Sequence, residues 1–413
     1  MILRIAWRNL WRRTRRTLLT VSTVSLGLAL LLISLGLGDG SHRQMIDSAV
    51  RMGVGHLVIQ QTGYQEGAEI DRTLAPSQVV DAESWIEKQR SRFPIRDRLR
   101  RVFASGLASS ADSSTGAQII GIQPEGEMRA SLFDEKLIQG RFLHKEGTDQ
   151  VVLGEGIARK LKLELGEKMV LMAQAAYTSE IQSKLVRVSG IIRTGLEQFD
   201  QMLVLMHLDT AQEFLGLGAS VHQVAIFLED ELFSEALAAL GQKELPELEV
   251  LHWGEALPEL QDYIRVDDGG NYVFHVFIFL LIAFTVMNTL LMSVLERSRE
   301  FALLDALGLA PGKRFAMVLV EATLVALLSA LSGGLLGYSG HLYLHVHGLP
   351  IDAFYSGDIS AAGVTLDPVL YSDLSFNRIA GSVSLVMILT LLLALLPALR
   401  AARAGNVHLL GNV

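Results

Sequence analysis

The sequence predicts a membrane α-helical protein: four transmembrane helices, with a large α+β extracytoplasmic domain between the first and second spans. Three observations lead there. Residues 17–37, 273–295, 315–344 and 379–399 are nearly free of charge, and each block reaches the roughly 20 residues a helix needs to cross ~30 Å of hydrocarbon. Between the first two blocks, short β-rich runs alternate with helical ones. Finally, basic residues crowd one set of block ends and avoid the other.

That asymmetry sets the orientation. Arg4, Arg8, Arg12, Arg13, Arg15 and Arg16 precede the first block. Arg297, Arg299, Lys313 and Arg314 separate the second from the third, and Arg400 and Arg403 follow the fourth. The loop between the third and fourth blocks has only Arg378, against Asp352, Asp358, Asp367 and Asp373. The expected order is therefore a cytoplasmic segment at 1–16, a first span at 17–37 and an outer domain at 38–272. A second span at 273–295, a cytoplasmic loop at 296–314 and a third span at 315–344 follow. A short outer loop at 345–378, a fourth span at 379–399 and a cytoplasmic tail at 400–413 complete it. "TRRTLLT" resembles a twin-arginine signal, but the apolar run after it is longer than a signal core and no small-residue cleavage site follows, so an uncleaved anchor is expected.

In the outer domain, "GSHRQMIDSAVRM" extends the first helix outward and "SQVVDAESWIEKQRSRF" reads as a helix. "GHLVIQQ", "AQIIGI", "QVVLG", "EKMVLMAQ", "KLVRVSGIIRTG", "MLVLMHL", "HQVAIFLED" and "ELPELEVLHW" read as strands. "EGIARKLKL", "DTAQEFLGL" and "ELFSEALAALG" are short helices, and "ALPELQDYIRV" is a helix leading towards the second span. Two subdomains are expected, a strand-rich middle at roughly 95–205 and a part made of both ends.

Several chemistries are disfavoured. The chain has no cysteine, which removes disulfides and thiol metal sites. A net charge of −8 argues against nucleic acid as a partner. "GLAPGKR" has three residues between Gly308 and Gly312-Lys313 and an arginine next, where a Walker A loop needs four and then Ser or Thr. No hydrolase, oxidoreductase or kinase motif is present, so no catalytic residue is assigned. His341 and His345 have the i,i+4 spacing of metal ligands, with His347 beside them, but interfacial imidazoles are the expected reading and no metal site is assigned. Asn288 and His275 in the second span and Glu321 in the third are costly in hydrocarbon unless paired. Asn288 and Glu321 are expected to serve helix packing or the cytoplasmic rim. The rows Ser329–Gly333–Gly337 and Ala326–Ala330–Gly334 permit close helix approach within a bundle or across a dimer seam.

"ERSREFALLDALGLAPGKR" at 296–314 predicts a helix of about three turns, ended by Gly308 and Pro311. Glu296–Arg299 and Arg297–Glu300 are its candidate ion pairs. Phe301, Leu304 and Gly308 form one row, with Leu303 and Leu307 beside it, and this row has no evident partner in so short a cytoplasmic portion. It is expected to rest on lipid or to dock in a groove of another protein.

Here the chain resembles the FtsX-like ABC transporter permease family, which includes MacB exporters and the lipoprotein-releasing LolC/LolE subunits. Glu296, Arg297, Glu300, Ala306, Leu307 and Gly308 match its coupling-helix pattern, while Phe301, Ala302 and Asp305 depart from it. Glu321-Ala322 matches an acidic-small pair of the third span, and Arg8-Asn9 in "IAWRNL" matches the family's entry. Pro397, Ala398, Ala401 and Ala402 match its ending, with Asn406 where proline is common. "LIQGRFLHKEGTDQVVLGEGIARKLKLELGEKMVLM" and "GIIRTGLEQFD" resemble LolC/LolE outer domains.

The resemblance implies four spans, dimerisation with a second copy or a homologous permease, and two cytoplasmic ATPase subunits that bind ATP and Mg. This chain would bind no cofactor itself. It implies a bacterial inner-membrane location, a periplasmic outer domain, and lipoprotein cargo extracted from the outer leaflet and passed to an acceptor. The ATPase-coupling surface is expected at Glu296, Arg297, Glu300, Phe301, Leu303, Leu304, Ala306, Leu307 and Gly308. A lipid-accessible substrate groove is expected at Leu30, Ile33, Leu37 and Met45 with Phe274, Phe277 and Ile278. Alternative readings are a MacB-like exporter of periplasmic substrates and an FtsX-like signal transmitter.

Overall fold

A computed structural model describes residues 2–12, 14–144, 147–178, 180–351, 360–361, 364–365 and 368–403. Arg13, Asp352, Asp358, Asp367 and Asn406 lie outside the described residues. The chain begins with helices α1 (Ile2–Arg12) and α2 (Thr14–Ala49), and α2 ends in a π-turn at Val50–Val54. Then come β1 (Leu57–Gln61), α3 (Tyr64–Gly67), α4 (Pro76–Gln89), β2 (Ile95–Ser109), β3 (Ser114–Ile122), α5 (Pro124–Ala130) and β4 (Leu137–Gly140). β5 (Gln150–Gly154), α6 (Glu155–Leu161), β6 (Lys168–Gln174), β7 (Ile181–Ile192), α7 (Glu197–Asp200), β8 (Leu203–His207) and α8 (Leu208–Leu215) follow. β9 (Gln223–Leu228), α9 (Ser234–Glu244), β10 (Leu248–His252) and α10 (Trp253–Ala256) lead into α11 (Pro258–Glu296). α12 (Ser298–Ala306), α13 (Pro311–His347) and α14 (Phe376–Arg403) follow.

The chain divides into a helical unit of residues 1–43, 265–355 and 368–413 and a β-rich unit of residues 44–264 and 356–367. Among the described residues, four helices are long and apolar enough to cross a membrane: Thr14–Val54, Pro258–Glu296, Pro311–His347 and Phe376–Arg403. The helix expected from "ALPELQDYIRV" is the first part of α11 and joins the expected second span without a break.

One apolar cluster unites the four long helices. Val24, Leu28, Leu31 and Leu32 of α2 meet Ile278, Ile282, Val286 and Leu290 of α11, Ala322 of α13, and Val386 and Ala394 of α14. The i,i+4 spacing on α11 keeps one stripe inward. The Ser329–Gly333–Gly337 row lies against α2 of the same chain. A Cβ on Gly333 would stand 2.8 Å from the Ser25 carbonyl oxygen, and one on Gly337 would stand 2.8 Å from Leu32. Ser25 also donates to the Ser329 carbonyl. Only glycine lets these two backbones come so close.

In the β-rich unit, the pairings β2–β3, β3–β8, β8–β5, β5–β7, β7–β6 and β6–β2 close on themselves. A six-stranded ring results, and such closure removes sheet edges. The first half of β2 belongs instead to an antiparallel sheet in the order β10-β1-β9-β2. The ring thus draws on residues 95–207 and the open sheet on both ends of the unit, with β2 common to both. One core runs through them, from Leu57 and Ile59 of β1 to Val102 of β2, Val204 of β8 and Ile157 of α6.

β2 was not among the expected strands. "IRDRLRR" carries too much charge to read as a half-buried strand, yet Leu99 and Val102 are buried. Arg101 is buried as well, and is neutralised by two bonds of 2.7 and 2.8 Å to the carboxylate of Glu127 on α5. A buried arginine held in this bidentate way is tolerated, and its charge hides the strand from any hydropathy reading.

Candidate coupling site

The segment between α11 and α13 folds as a short helix with defined ends. Arg297 leaves helical geometry at φ −101°, which separates α12 from α11. At the other end Gly308 takes φ +82°, its N–H donates to the Asp305 carbonyl, and the Leu309 N–H donates to the Leu304 carbonyl. This paired closure needs a left-handed residue, which glycine supplies without strain. Pro311 then opens α13. Gly312 and Lys313 are the first turn of that long helix and belong to no strand–loop–helix phosphate cradle.

The apolar row of α12 has partners inside the chain, contrary to the expectation that it lacked them. Phe301 is fully buried among Val294, Met317, Val318, Ala398 and Ala401, and Leu304 packs against the same cluster. Leu303 and Leu307 point away, 59% and 83% exposed, with Ala306 and Gly308 exposed beside them. α12 therefore presents Leu303 and Leu307 outward and uses Phe301 and Leu304 as its root.

Two buried arginines fasten that root. Arg297 donates to Glu321 of α13 at 2.9 Å and to Glu300 at 3.2 Å, with its guanidinium 5.1 Å from the centre of the Phe301 ring. Arg314 pairs with Asp305 at 2.9 Å and donates to the Ala402 carbonyl of α14 at 3.1 Å. Removing one member of such a pair strands a buried charge, at a cost of about 3–5 kcal/mol. Asp305, which departs from the coupling-helix pattern, is thus the partner of Arg314. Glu296 pairs with Arg16 at 3.2 Å. Behind the network lies a cavity of about 170 Å³ whose lining includes Asn9, Arg16, Arg297, Glu300, Glu321 and Thr390.

Other expected residues fall elsewhere. Asn288 is exposed on α11, in a row with Leu281, Phe284, Met292 and Leu295. Leu30, Phe274 and Phe277 are exposed, and Ile33 and Leu37 are half-buried. Ile278 is taken up in the four-helix cluster, and Met45 is buried in the β-rich unit with Ala49 and Leu260. Neither of these two is open to a ligand. The histidines at the end of α13 turn to the chain itself: His341 Nδ1 lies 2.7 Å from Ser372 Oγ, His345 Nδ1 lies 2.9 Å from the Ser372 carbonyl, and His347 stacks on Tyr343.

"GIIRTGLEQFD" builds a braced loop in the β-rich unit. Arg193 clasps Glu155 at 2.7 Å through two nitrogens, and Asp200 accepts from the hydroxyl and the N–H of Thr194. Burial raises the Asp200 carboxyl above its ordinary value, against the lowering by those bonds. Leu196 and Phe199 line an apolar cavity of about 460 Å³ together with Met52, Val54, Leu257 and Leu260.

Four membrane-length helices, a separate α/β unit and a short rooted helix between the second and third long helices define a class: a multi-helix protein with a bundle of membrane length and a large α/β unit. The chain matches the MacB-like periplasmic core domain over residues 17–242 and the FtsX-like permease C-terminal family over residues 272–405. It belongs to the FtsX-like ABC transporter permeases of the LolC/MacB type. It is 20% identical over 332 residues to the lipoprotein-releasing system transmembrane protein LolC of Neisseria meningitidis, covering 78% of this chain and 76% of that one. It is also 20% identical to a LolC protein of Xylella fastidiosa, covering 92% of this chain and 90% of the relative. The macrolide export ATP-binding/permease protein MacB of Nitrosomonas europaea is 24% identical over 356 residues, covering 81% of this chain and 50% of the relative.

Proposed function

We propose that this permease takes work from a separate cytoplasmic ATPase through α12 and delivers it to the β-rich unit on the outer face of an inner membrane. In this reading two ATPase subunits bind ATP and Mg, and the permease pairs with a second copy or a homologue. Its termini are cytoplasmic, as the arginines before α2 and after α14 favour. The observation that carries the reading is the root of α12. A helix held to α13 and α14 by Arg297 and Arg314 passes a push on Leu303 and Leu307 into those long helices. The chain passes between the two units within α2 and within α11, and in this reading those helices carry the motion.

The cargo we infer is a lipoprotein drawn from the outer leaflet. Its support is collinearity, over 78% and 92% of this chain, with proteins named for lipoprotein release. Leu30, Ile33, Leu37, Phe274 and Phe277 then remain as the lipid-accessible surface. Asn288, exposed in an apolar row of α11, suits a helix–helix contact with the second permease copy, where an amide finds a partner that lipid does not offer. The test is reconstitution with the ATPase and a lipoprotein acceptor in vesicles. ATP-dependent release of a lipoprotein is expected. Export of a soluble periplasmic compound without lipoprotein release would instead support the MacB-like reading that the core-domain match also favours.

A further inference from the structure

We propose that α1 is an in-plane anchor that reads anionic phospholipid headgroups on the leaflet beside the basic helix ends. In "ILRIAWRNLWR" three rows run at i,i+4 spacing. Ala6 and Leu10 are buried against the helical unit. Leu3, Trp7 and Trp11 form a second row and are all exposed, the two indoles meeting edge to face at 6.0 Å. Arg4, Arg8 and Arg12 form a third, also exposed. At about 100° per residue the rows follow one another around the helix, with the apolar row between the buried row and the arginines.

This sequence of faces selects the occupant. Indoles settle at the boundary between acyl chains and headgroups, and lipid phosphates lie directly above that boundary. A helix lying in the plane with Trp7 and Trp11 downward places Arg4 and Arg8 at phosphate height. Arg12 lies 3.6 Å from Glu300, so one arginine of the row also touches the first turn of α12. The Thr17 hydroxyl donates to the Leu10 carbonyl at 2.9 Å and holds the corner between α1 and α2. The apolar row and the arginine row fit one partner together, a negatively charged lipid surface. A protein groove would leave the arginines needing carboxylates of its own. The inference rests on insertion of the helical unit in a bilayer and is independent of the cargo.

The test uses the full chain in nanodiscs of phosphatidylcholine and phosphatidylglycerol, with bromine on the acyl chains of one lipid at a time. The part of the fluorescence quenching that disappears in the Trp7→Phe/Trp11→Phe protein reports on α1. At equal mole fraction, brominated phosphatidylglycerol is expected to quench that part more strongly. Substituting Arg4→Gln and Arg8→Gln should bring the two lipids together, each arginine accounting for an enrichment of about fivefold. Equal quenching in the wild-type protein overturns the proposal, as does a preference that survives both substitutions. Absence of quenching by either lipid also overturns it and assigns the Trp row to a protein contact, such as a second copy of this chain.

Discussion

Arg297 and Arg101 show what a single charged residue does when burial denies it water. Each is held by a carboxylate from another element, Glu321 on α13 and Glu127 on α5, and each thereby locks two elements in register. His56 is the opposite case, a titratable group kept neutral. Its Nδ1 accepts the Leu228 N–H at 3.0 Å, and burial lowers its pKa to about 4. Because the folded pKa lies below the ordinary 6.5, the unfolded chain takes up the proton first as pH falls. The contribution of His56 is therefore complete above pH 6.5 and is lost as pH drops towards 4, by on the order of 2 kcal/mol. His222, bonded through both ring nitrogens and lowered by burial too, adds in the same direction. We expect the near-ultraviolet dichroism of Trp85 and Trp253 to melt at lower temperature from pH 6.5 to 4.5, and His56→Gln to flatten that dependence. An unchanged slope in the variant would remove His56 as the cause.

At the scale of the element, α12 divides its apolar residues between two tasks, and the division makes separable predictions. Leu303→Asp with Leu307→Asp changes only exposed positions, so stability should shift by less than about 0.5 kcal/mol. Stimulation of the partner ATPase by the permease should nevertheless be lost. Arg297→Ala removes the guanidinium that neutralises the buried Glu321 and should destabilise the helical unit by about 3 kcal/mol. Thermal unfolding in detergent, measured beside ATPase stimulation, separates the two effects. Retained stimulation in the double aspartate variant would refute docking at α12. Helix ends at Gly308 and Pro311 and the row Phe301–Leu304 were legible in the sequence, since glycine, proline and i,i+3 spacing carry local signals. Which leucines face inward was not, because only the packing of α13 and α14 distinguishes Leu304 from Leu303.

Across the whole molecule, glycines mark places where backbones meet closely, Gly333 against Ser25 in the helical unit and Gly106 against Met172 in the β-rich one. In the helical unit Gly333 and Gly334 are neighbours of the same type with opposite surroundings. A side chain at Gly333 meets the backbone of Ser25 at 2.8 Å, whereas a Cβ at Gly334 has no atom within 4 Å. Gly333→Leu should lower stability by at least about 1–3 kcal/mol through overpacking, and Gly334→Leu should leave it nearly unchanged. Equal melting temperatures for the two variants would contradict the α2–α13 contact.

By itself the sequence determined the four membrane-length helices, the presence of a large unit of mixed α and β elements and the family, because hydropathy and turn chemistry are local properties and the motifs stand in chain order. Tertiary structure alone decided three things: the ring closed by β6 between β2 and β7, the strand hidden in "IRDRLRR", and the choice of α2 as the partner of the glycine row. Each depends on residues far apart in the chain. Glu127 makes a buried Arg101 tolerable, Ser25 fits the gap at Gly333, and Phe301 finds the cluster that turns an unpartnered row into a root.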